Sequence, residues 1–264
     1  MSPVQTVACQ NEDDHVRLGD NILPAGDLRL CGPEFADDQY FLDSARAEAN
    51  RLVRYCGVNS ETRLLDIGCG MGRLPIGILS AINAIDGYCG VDVSPRCIDW
   101  CNRHINVDRP GFTFVHLDVR NERYNAQGVE IDQNFRLPFA SQSFDVIYLY
   151  SVFSHMLPDD MRAYCNEFRR IIKPAGYVFL TAFVEEHVPD VSVNPDSYRM
   201  EWSGPLHCVR YNKDYLVNCL AESDLSLERF DYSTETDGQS GIYFRNKRKE
   251  PSASLGQASS LPSH

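Results

Sequence analysis

Apolar residues recur along this chain with two different periods, and the order of the segments predicts the fold. Between residues 37 and 55 the spacing is helical, which predicts an amphipathic helix that ends at Gly57. Short apolar strands then alternate with helical segments. The predicted strands span 63–67, 88–92, 113–118, 144–150 and 177–183, and the predicted helices between them span 72–84, 95–106 and 159–173. This alternation predicts a parallel sheet that is covered by helices on both faces.

Three of these strands end in an acidic residue. Asp66, Asp92 and Asp118 are separated by 26 residues each time. One strand, one loop and one helix of three turns take about that length, so the spacing supports a repeated βα unit.

The segments outside this repeat have other patterns. Residues 184–210 show no clear period and are predicted to form a lid, which is followed by a helix over 211–222. Strands over 225–233 and 241–247 are predicted to form a hairpin, which makes the last strand antiparallel. The prediction is a doubly wound α/β fold with a seven-stranded, mostly parallel sheet over 37–247. An irregular arm (1–36) precedes it, and a disordered tail (248–264) follows.

Composition restricts the possible functions. The 264 residues include 25 Lys and Arg against 37 Asp and Glu, a net charge of −12, which argues against contact with a phosphate backbone. We therefore expect no nucleic-acid partner. No apolar stretch predicts a membrane span or a signal peptide, so we expect no membrane partner and a cytoplasmic location. The ten cysteines are scattered, which favours reduced core thiols over disulfides, and no metal site is predicted. Nothing in the pattern indicates an oligomeric state.

A glycine-rich loop is the sharpest feature of the sequence. Residues 66–72 read Asp-Ile-Gly-Cys-Gly-Met-Gly between a predicted strand and a predicted helix, where glycines let the backbone approach a ligand. The dinucleotide fingerprint needs a glycine at position 73, which is Arg73, and no Gly-Lys-Ser/Thr follows as in a phosphate loop. Arg73, together with the acid that precedes the glycines, disfavours a nicotinamide oxidoreductase.

The acids next to this loop suggest the ligand. Asp66 precedes the first glycine, where it would repel a pyrophosphate and attract an amino group. Asp92 can accept hydrogen bonds from both hydroxyls of a ribose, and Asp118 can accept one from an exocyclic amine. Because the carboxyl ends of parallel strands meet at one edge of the sheet, the three acids suit a cationic nucleoside that carries an amino acid.

Five motifs, in this order, resemble those of class I S-adenosylmethionine-dependent methyltransferases: 65–72, 90–94, 118–119, 143–147 and 172–176. The resemblance covers about residues 37–247, and it implies a Rossmann-like methyltransferase fold with S-adenosylmethionine as cofactor. The family has glycine where this chain has Ala175. The implied cofactor ligands are Asp66, Gly68, Cys69, Gly70 and Gly72 for the methionyl part, with Tyr150 near it, Asp92 and Val93 for the ribose, and Asp118 and Val119 for the adenine.

Residues 121–128 and 151–156 resemble those of bacterial small-molecule methyltransferases, which predicts a small-molecule acceptor. His155 is the candidate catalytic residue, a base that would deprotonate a hydroxyl for O-methylation. It could equally cap or pack under the helix that follows. The acidic lid with Tyr198 and Trp202 suggests a polar acceptor that carries an apolar ring. Two alternatives remain: N-methylation of a small amine, for which His155 is dispensable, and a non-catalytic module that binds the cofactor or a partner.

Overall fold

The computed structural model describes residues 14–248, except for 31, 83, 84, 108 and 110. The predicted disordered tail (248–264) lies outside the described residues, except for residue 248. The five α-helices of the described part are α1 (Asp38–Cys56), α2 (Arg73–Ala81), α3 (Pro95–His104), α4 (Pro158–Ile171) and α5 (Lys213–Ala221). Its strands are β1 (His15–Leu18), β2 (Asn21–Pro24), β3 (Arg63–Ile67), β4 (Gly87–Asp92), β5 (Phe112–His116), β6 (Phe144–Leu149), β7 (Ile172–Glu185), β8 (Val191–Val193), β9 (Val209–Asn212), β10 (Leu225–Asp231) and β11 (Ser240–Asn246).

Seven strands form the main path of the central sheet, in the order β10-β11-β7-β6-β3-β4-β5. Strands β3 to β7 pair in parallel, and β11 is antiparallel to both of its neighbours, β7 and β10. Apolar clusters cover both faces of this sheet. The predicted doubly wound α/β fold with an antiparallel last strand is therefore confirmed.

Local chemistry sets the ends of the helices. The side chain of Asp37 accepts a hydrogen bond from the Tyr40 N–H and caps α1 at its start. Gly57 has a φ of +70°, the left-handed conformation that commonly ends a helix. The side chain of Ser94 caps α3 in the same way as Asp37 caps α1. These caps are the reason why the sequence-based helix boundaries agree with the structure to within a few residues.

The arm, predicted to be irregular, contains a hairpin instead. Strands β1 and β2 pair antiparallel, and Leu23 and Leu28 are buried in the same apolar cluster as Trp100 of α3. The indole Nε1 of Trp100 also donates to the Asp14 carbonyl at 2.9 Å. Contacts with a distant helix thus stabilise short strands that no strong local pattern marks.

The predicted lid over 184–210 is also more regular than expected. Strand β9 adds to the sheet in parallel beside the end of β7, and β8 pairs antiparallel with β9. The segment between them, 194–208, returns the chain to this ladder. The lid is therefore anchored at both ends by backbone hydrogen bonds rather than free along its length.

Strand β7 begins earlier than the sequence predicts, directly at the end of α4. Phe144 pairs with Ile172 and Val146 with Tyr177, so the chain bulges over 173–176. Within this bulge Ala175 has a φ of +59°. Proline and glycine at 174 and 176 lie in this bulge, between the predicted helix (159–173) and the predicted strand (177–183).

Two predictions from composition can be compared with the structure. The eight cysteines among the described residues are all buried free thiols, as expected for core residues. No helix in the described ranges is both long and apolar enough to cross a membrane. The cytoplasmic location stays a prediction.

Candidate functional site

A cavity of about 340 Å³ lies beyond the carboxyl ends of β3, β4 and β6, where the sequence predicts the cofactor site. Its wall brings together residues of the glycine loop, the strand ends and the lid. The predicted site residues that line it are Asp66, Gly68, Cys69, Gly70, Asp92, Val93, Val119, Tyr150 and His155.

Two predicted cofactor residues do not line the cavity. Gly72 faces α3, since a Cβ built on it would lie 2.4 Å from Cδ1 of Ile105. Asp118 is exposed and accepts a hydrogen bond from the Asn125 side chain at 3.0 Å. Strand β5 ends two residues before Asp118, so its neighbours Leu117 and Val119 line the wall instead. Asp118 therefore lies outside the cavity wall, and its contact with an adenine amine stays a prediction.

The glycine loop presents bare backbone to the cavity. Gly68 and Gly70 have φ values of +74° and +51°, a region that side chains strain to adopt. A Cβ on Gly70 would meet nothing within 4 Å, so this face of the loop is open. A Cβ on Gly68 would instead lie 2.6 Å from the Val152 side chain. Glycine at 70 thus leaves room for a ligand, and glycine at 68 allows the next loop to approach.

Asp92 holds the loop and retains capacity for a ligand. One carboxylate oxygen accepts a hydrogen bond from the Gly70 N–H and the other accepts one from the Ser94 N–H, both at 2.8 Å. Each carboxylate oxygen can accept two hydrogen bonds, so one position per oxygen remains. Burial raises the pKa of Asp92, and these backbone hydrogen bonds lower it in part. Two neighbouring hydroxyl groups match the two remaining acceptor positions.

Asp66 is the buried acid of the site. Its side chain is nearly inaccessible and accepts a hydrogen bond from the Tyr88 hydroxyl at 2.5 Å. Burial raises the pKa of Asp66 to about 7, against the lowering effects of Tyr88 and Arg73. A cationic amino group beside it would favour the charged carboxylate and lower the pKa again.

Arg73 is a cavity residue that the sequence analysis used only to reject a dinucleotide site. Its guanidinium lies 4.3 Å from the centre of the Tyr150 ring. The Tyr150 hydroxyl is hydrogen-bonded to the Thr236 hydroxyl at 2.9 Å, and Thr236 also lines the cavity. The signal in the sequence is the position of Arg73, at the first turn after the glycine loop. A cation there can pair with an anionic group of a ligand.

Five aromatic side chains line another part of the same cavity, and they come from four separate segments. The His155 ring meets the Tyr124 ring edge-on, with centroids 5.4 Å apart. Trp202 packs edge-on against both Phe183 and His207, with centroids 5.1 and 5.2 Å apart. No local pattern in the sequence marks Phe183 as a site residue, whereas Tyr124 lies in the segment 121–128 that resembles small-molecule methyltransferases. Such a surface suits a flat ring.

His155 has a defined protonation state. Its Nδ1 lies 2.9 Å from the Leu206 carbonyl oxygen, which can only accept, so Nδ1 carries the proton and Nε2 has the lone pair. Nε2 lies 3.4 Å from the Ser151 hydroxyl. Burial lowers the pKa of His155 to about 4, although the hydrogen bond to Leu206 opposes this effect. The imidazole is therefore neutral near pH 7 and can accept a hydrogen bond.

A polar network supports the loop that carries His155. The Ser151 N–H donates to the Thr181 hydroxyl at 2.7 Å, and the Gln239 amide donates to the Ser151 hydroxyl at 2.9 Å. The Asn121 amide donates to the His155 carbonyl at 2.9 Å. The carboxylates, the bare loop and the apolar wall together fit a cationic nucleoside that carries an amino acid, and the aromatic side chains line another part of the same cavity.

Comparison with known proteins agrees with this geometry. A family model described as a methyltransferase domain matches residues 65–178. The tRNA N(3)-cytidine methyltransferase METTL2 of Gallus gallus is 30% identical over 129 residues, which are 48% of this chain and 31% of the relative. The ubiquinone biosynthesis O-methyltransferase of Cereibacter sphaeroides is 30% identical over 151 residues, 56% of this chain and 49% of the relative. The chain thus spans less than half the length of these relatives.

Among solved structures, the fold is similar to that of a 1,6-didemethyltoxoflavin-N1-methyltransferase from Burkholderia thailandensis, solved with S-adenosylhomocysteine bound. The TM-score is 0.53 at 15% identity, and the match covers 80% of this chain and 82% of the other. These matches support the predictions of a methyltransferase and of S-adenosylmethionine as cofactor.

One prediction about partners is wrong. We expected no nucleic-acid partner from the net charge of −12, yet the relatives matched first are tRNA methyltransferases. Net charge is a sum over the whole chain, whereas a base that enters a cavity is held by the few side chains around its ring. A composition argument therefore cannot exclude such an acceptor.

Proposed function

We propose that this chain, an S-adenosylmethionine-dependent methyltransferase, methylates a ring nitrogen of a planar heteroaromatic base. The observation that carries the proposal is the aromatic surface of Tyr124, His155, Phe183, Trp202 and His207, which lines the same cavity as the glycine loop. S-adenosylmethionine supplies a methyl group on a positively charged sulfur, so the donor is already activated. The protein must mainly align the nucleophile, for which orientation can contribute about 7–11 kcal/mol.

The roles proposed for the cofactor side follow from the contacts described above. Asp66 would pair with the amino group of the methionyl part, and Arg73 with its carboxylate. Asp92 would accept both ribose hydroxyls with its remaining lone pairs. Leu117 and Val119 would cover the adenine with apolar surface.

The protonation state of His155 supports nitrogen as the methylated atom. A general base works best when its pKa is near the working pH, and a pKa of about 4 makes His155 a weak base for a hydroxyl. A ring nitrogen has its own lone pair and needs no deprotonation. Nε2 of His155 can then accept a hydrogen bond from an amino group next to that nitrogen. This pattern, a ring nitrogen beside an exocyclic amine, occurs in cytosine and adenine.

The relatives favour cytosine between these two bases. The tRNA methyltransferases that match this chain act at N3 of cytidine, according to their names. We propose that the base is the part recognised here, because the aromatic part of the cavity wall suits a flat ring.

A second candidate is O-methylation of a small aromatic hydroxyl compound, as the sequence analysis predicted. It is supported by the match to the ubiquinone biosynthesis O-methyltransferase. In that reaction His155 would accept the hydroxyl proton on Nε2, next to Ser151. The two candidates differ in whether catalysis needs a base.

The test is production of S-adenosylhomocysteine by the purified chain with three acceptors: cytidine, an RNA stem-loop with an unpaired cytidine, and a catechol. We expect turnover with a cytidine acceptor and a product methylated at the ring nitrogen, identified by mass spectrometry and NMR. The variant Asp92→Ala serves as the negative control. Turnover of the catechol alone would replace the proposal by the second candidate, and turnover of none of the three acceptors would contradict both.

A further inference from the structure

Outside the cofactor cavity, the side chains of Asp14, His15 and His104 converge between the arm and α3. Oδ1 of Asp14 lies 3.4 Å from Nδ1 of His15 and 3.1 Å from Nε2 of His104. All three ligand atoms lie within 4.8 Å of one another, and the two imidazole rings are 4.7 Å apart. Among the described residues this is the one group of three or more His, Cys, Asp or Glu with such spacing.

These distances match the edges of a metal coordination sphere. Zinc binds nitrogen and carboxylate oxygen at about 2.0–2.2 Å in a tetrahedron, so neighbouring ligand atoms are about 3.3–3.5 Å apart. The two contacts of the Asp14 oxygen are close to that value. Two imidazoles and one carboxylate form a donor set that zinc prefers.

We propose that Asp14, His15 and His104 bind a divalent zinc ion, with water as the fourth ligand. The side chains of His15, Asp14 and His104 are 28%, 18% and 13% exposed, so water can reach the remaining position. The spacing of the cysteines in the sequence predicts no metal site. Asp14 and His104 are 90 residues apart, and only the fold brings them together.

Arg103 is the competing cation at this site. Its guanidinium NH1 lies 2.7 Å from Oδ2 of Asp14 and 3.5 Å from Nε2 of His104. The Arg103 side chain is 42% exposed and has room to turn toward solvent when the metal binds. Removal of this charge therefore strengthens zinc binding, an effect that a purely structural ion pair does not predict.

The site would join two parts that border the cofactor cavity. His15 begins the β1–β2 hairpin of the arm, and the same arm contributes Arg29 and Leu30 to the cavity wall. His104 ends α3, whose first turn contributes Cys97 to that wall. Zinc would thus hold the arm against α3, and because these three side chains converge only in the folded chain, zinc binding at this site would stabilise the fold.

The experiment is calorimetric titration of zinc chloride into the full chain after chelator treatment, with His15→Gln and His104→Gln as test variants. We expect one zinc ion per chain, and at least a tenfold loss of affinity in each variant. Arg103→Gln is expected to bind zinc at least threefold more tightly. The matched control is His187→Asn, which removes an exposed histidine far along the chain and keeps a residue that tolerates its φ of +59°.

The His104 ring packs against Trp100, so His104→Gln could lose zinc binding through misfolding. A second measurement therefore uses only His15→Gln as the test variant. Cobalt(II) in place of zinc should give the visible absorption of a four-coordinate ion in the wild type and in His187→Asn, and lose it in His15→Gln. Zinc affinity that is equal in the wild type and both test variants would overturn the proposal, as would an octahedral cobalt spectrum in the wild type.

Discussion

The Gly70 N–H donates a hydrogen bond to Oδ2 of Asp92 at 2.8 Å, and this contact joins the glycine loop to the end of the neighbouring strand β4. Asp92, which is proposed to bind the ribose of the cofactor, therefore also holds the glycine loop in place. Loss of the Asp92 carboxylate removes both functions at once, whereas an amide in its place keeps an oxygen acceptor.

The first prediction concerns cofactor affinity. Asp92→Ala should weaken S-adenosylhomocysteine binding by about 10- to 100-fold or more, because a hydrogen bond to a charged group contributes about 1.5–3 kcal/mol. Calorimetric titration measures this. The matched control is Asp118→Ala. Asp118 follows the next strand of the repeat, but its side chain is exposed and lies outside the cavity wall. The affinity of this variant for S-adenosylhomocysteine should therefore stay within about twofold of the wild type. Equal losses in both variants would restore Asp118 to the site and contradict the geometry.

The second prediction concerns pH and Asp66. Only the ionised carboxylate pairs with a cationic amino group, and the pKa of Asp66 is raised to about 7 in the free protein. Cofactor affinity should therefore rise with pH up to about 7, and fall toward tenfold per unit well below that pKa. Titrations in buffers with different ionisation enthalpies should show proton release on binding near pH 6.5–7. Asp66→Asn should bind more weakly and without this proton release; a release that persists in Asp66→Asn would assign it to another group.

The third prediction separates the two roles of His155. If Nε2 only accepts a hydrogen bond, His155→Gln should keep kcat/KM within about fivefold, while His155→Ala loses about 10-fold or more. If His155 is a base, both variants should lose about 10²–10⁴-fold in kcat. The pH profile gives a second check, since a residue with a pKa of about 4 leaves kcat flat from about pH 6 to 8. A steep rise of kcat across that range would contradict the hydrogen-bonding role.

The fourth prediction concerns stability at the β7 bulge. Ala175 has a φ of +59°, which costs a residue with a Cβ about 1 kcal/mol more than glycine. Glycine also increases the conformational entropy of the unfolded chain, which offsets part of this gain. Ala175→Gly should therefore raise the melting temperature by only about 1–3 °C. Ala182→Gly in the same strand is the control, and it should lower stability because Ala182 is buried in regular sheet. A fall in melting temperature for Ala175→Gly would show that the bulge carries no such strain.

The fifth prediction concerns the contact of α1 with α2. A Cβ on Gly77 would lie 1.9 Å from the Ala45 carbonyl oxygen, so the two helices touch through backbone. Gly77→Ala should destabilise the protein by about 1–3 kcal/mol or more, although alanine is the better helix former by about 1 kcal/mol. Denaturant unfolding measures this. Gly111→Ala is the control, because its nearest neighbour would be at an ordinary 3.6 Å. A stabilised Gly77→Ala variant would mean that the helices can move apart freely.

The sequence by itself determined the order of the five described α-helices and of the seven strands on the main path of the sheet, and the position of the glycine loop. Hydrophobic period, caps and turn residues are local properties, and they act over one element at a time. The βα spacing also determined that Asp66 and Asp92 meet at one edge of the sheet, because parallel strands end on the same side.

Only the tertiary structure decided what surrounds that edge. The aromatic side chains at 124, 155, 183, 202 and 207 belong to segments with no shared period, and packing alone brings them together. The same is true of the Asp14, His15 and His104 cluster and of the arm hairpin against Trp100. Asp118 shows the converse: its spacing is regular, but β5 ends two residues earlier and the chain turns its side chain outward. Contacts between residues far apart in sequence depend on how elements pack, and no local pattern records that.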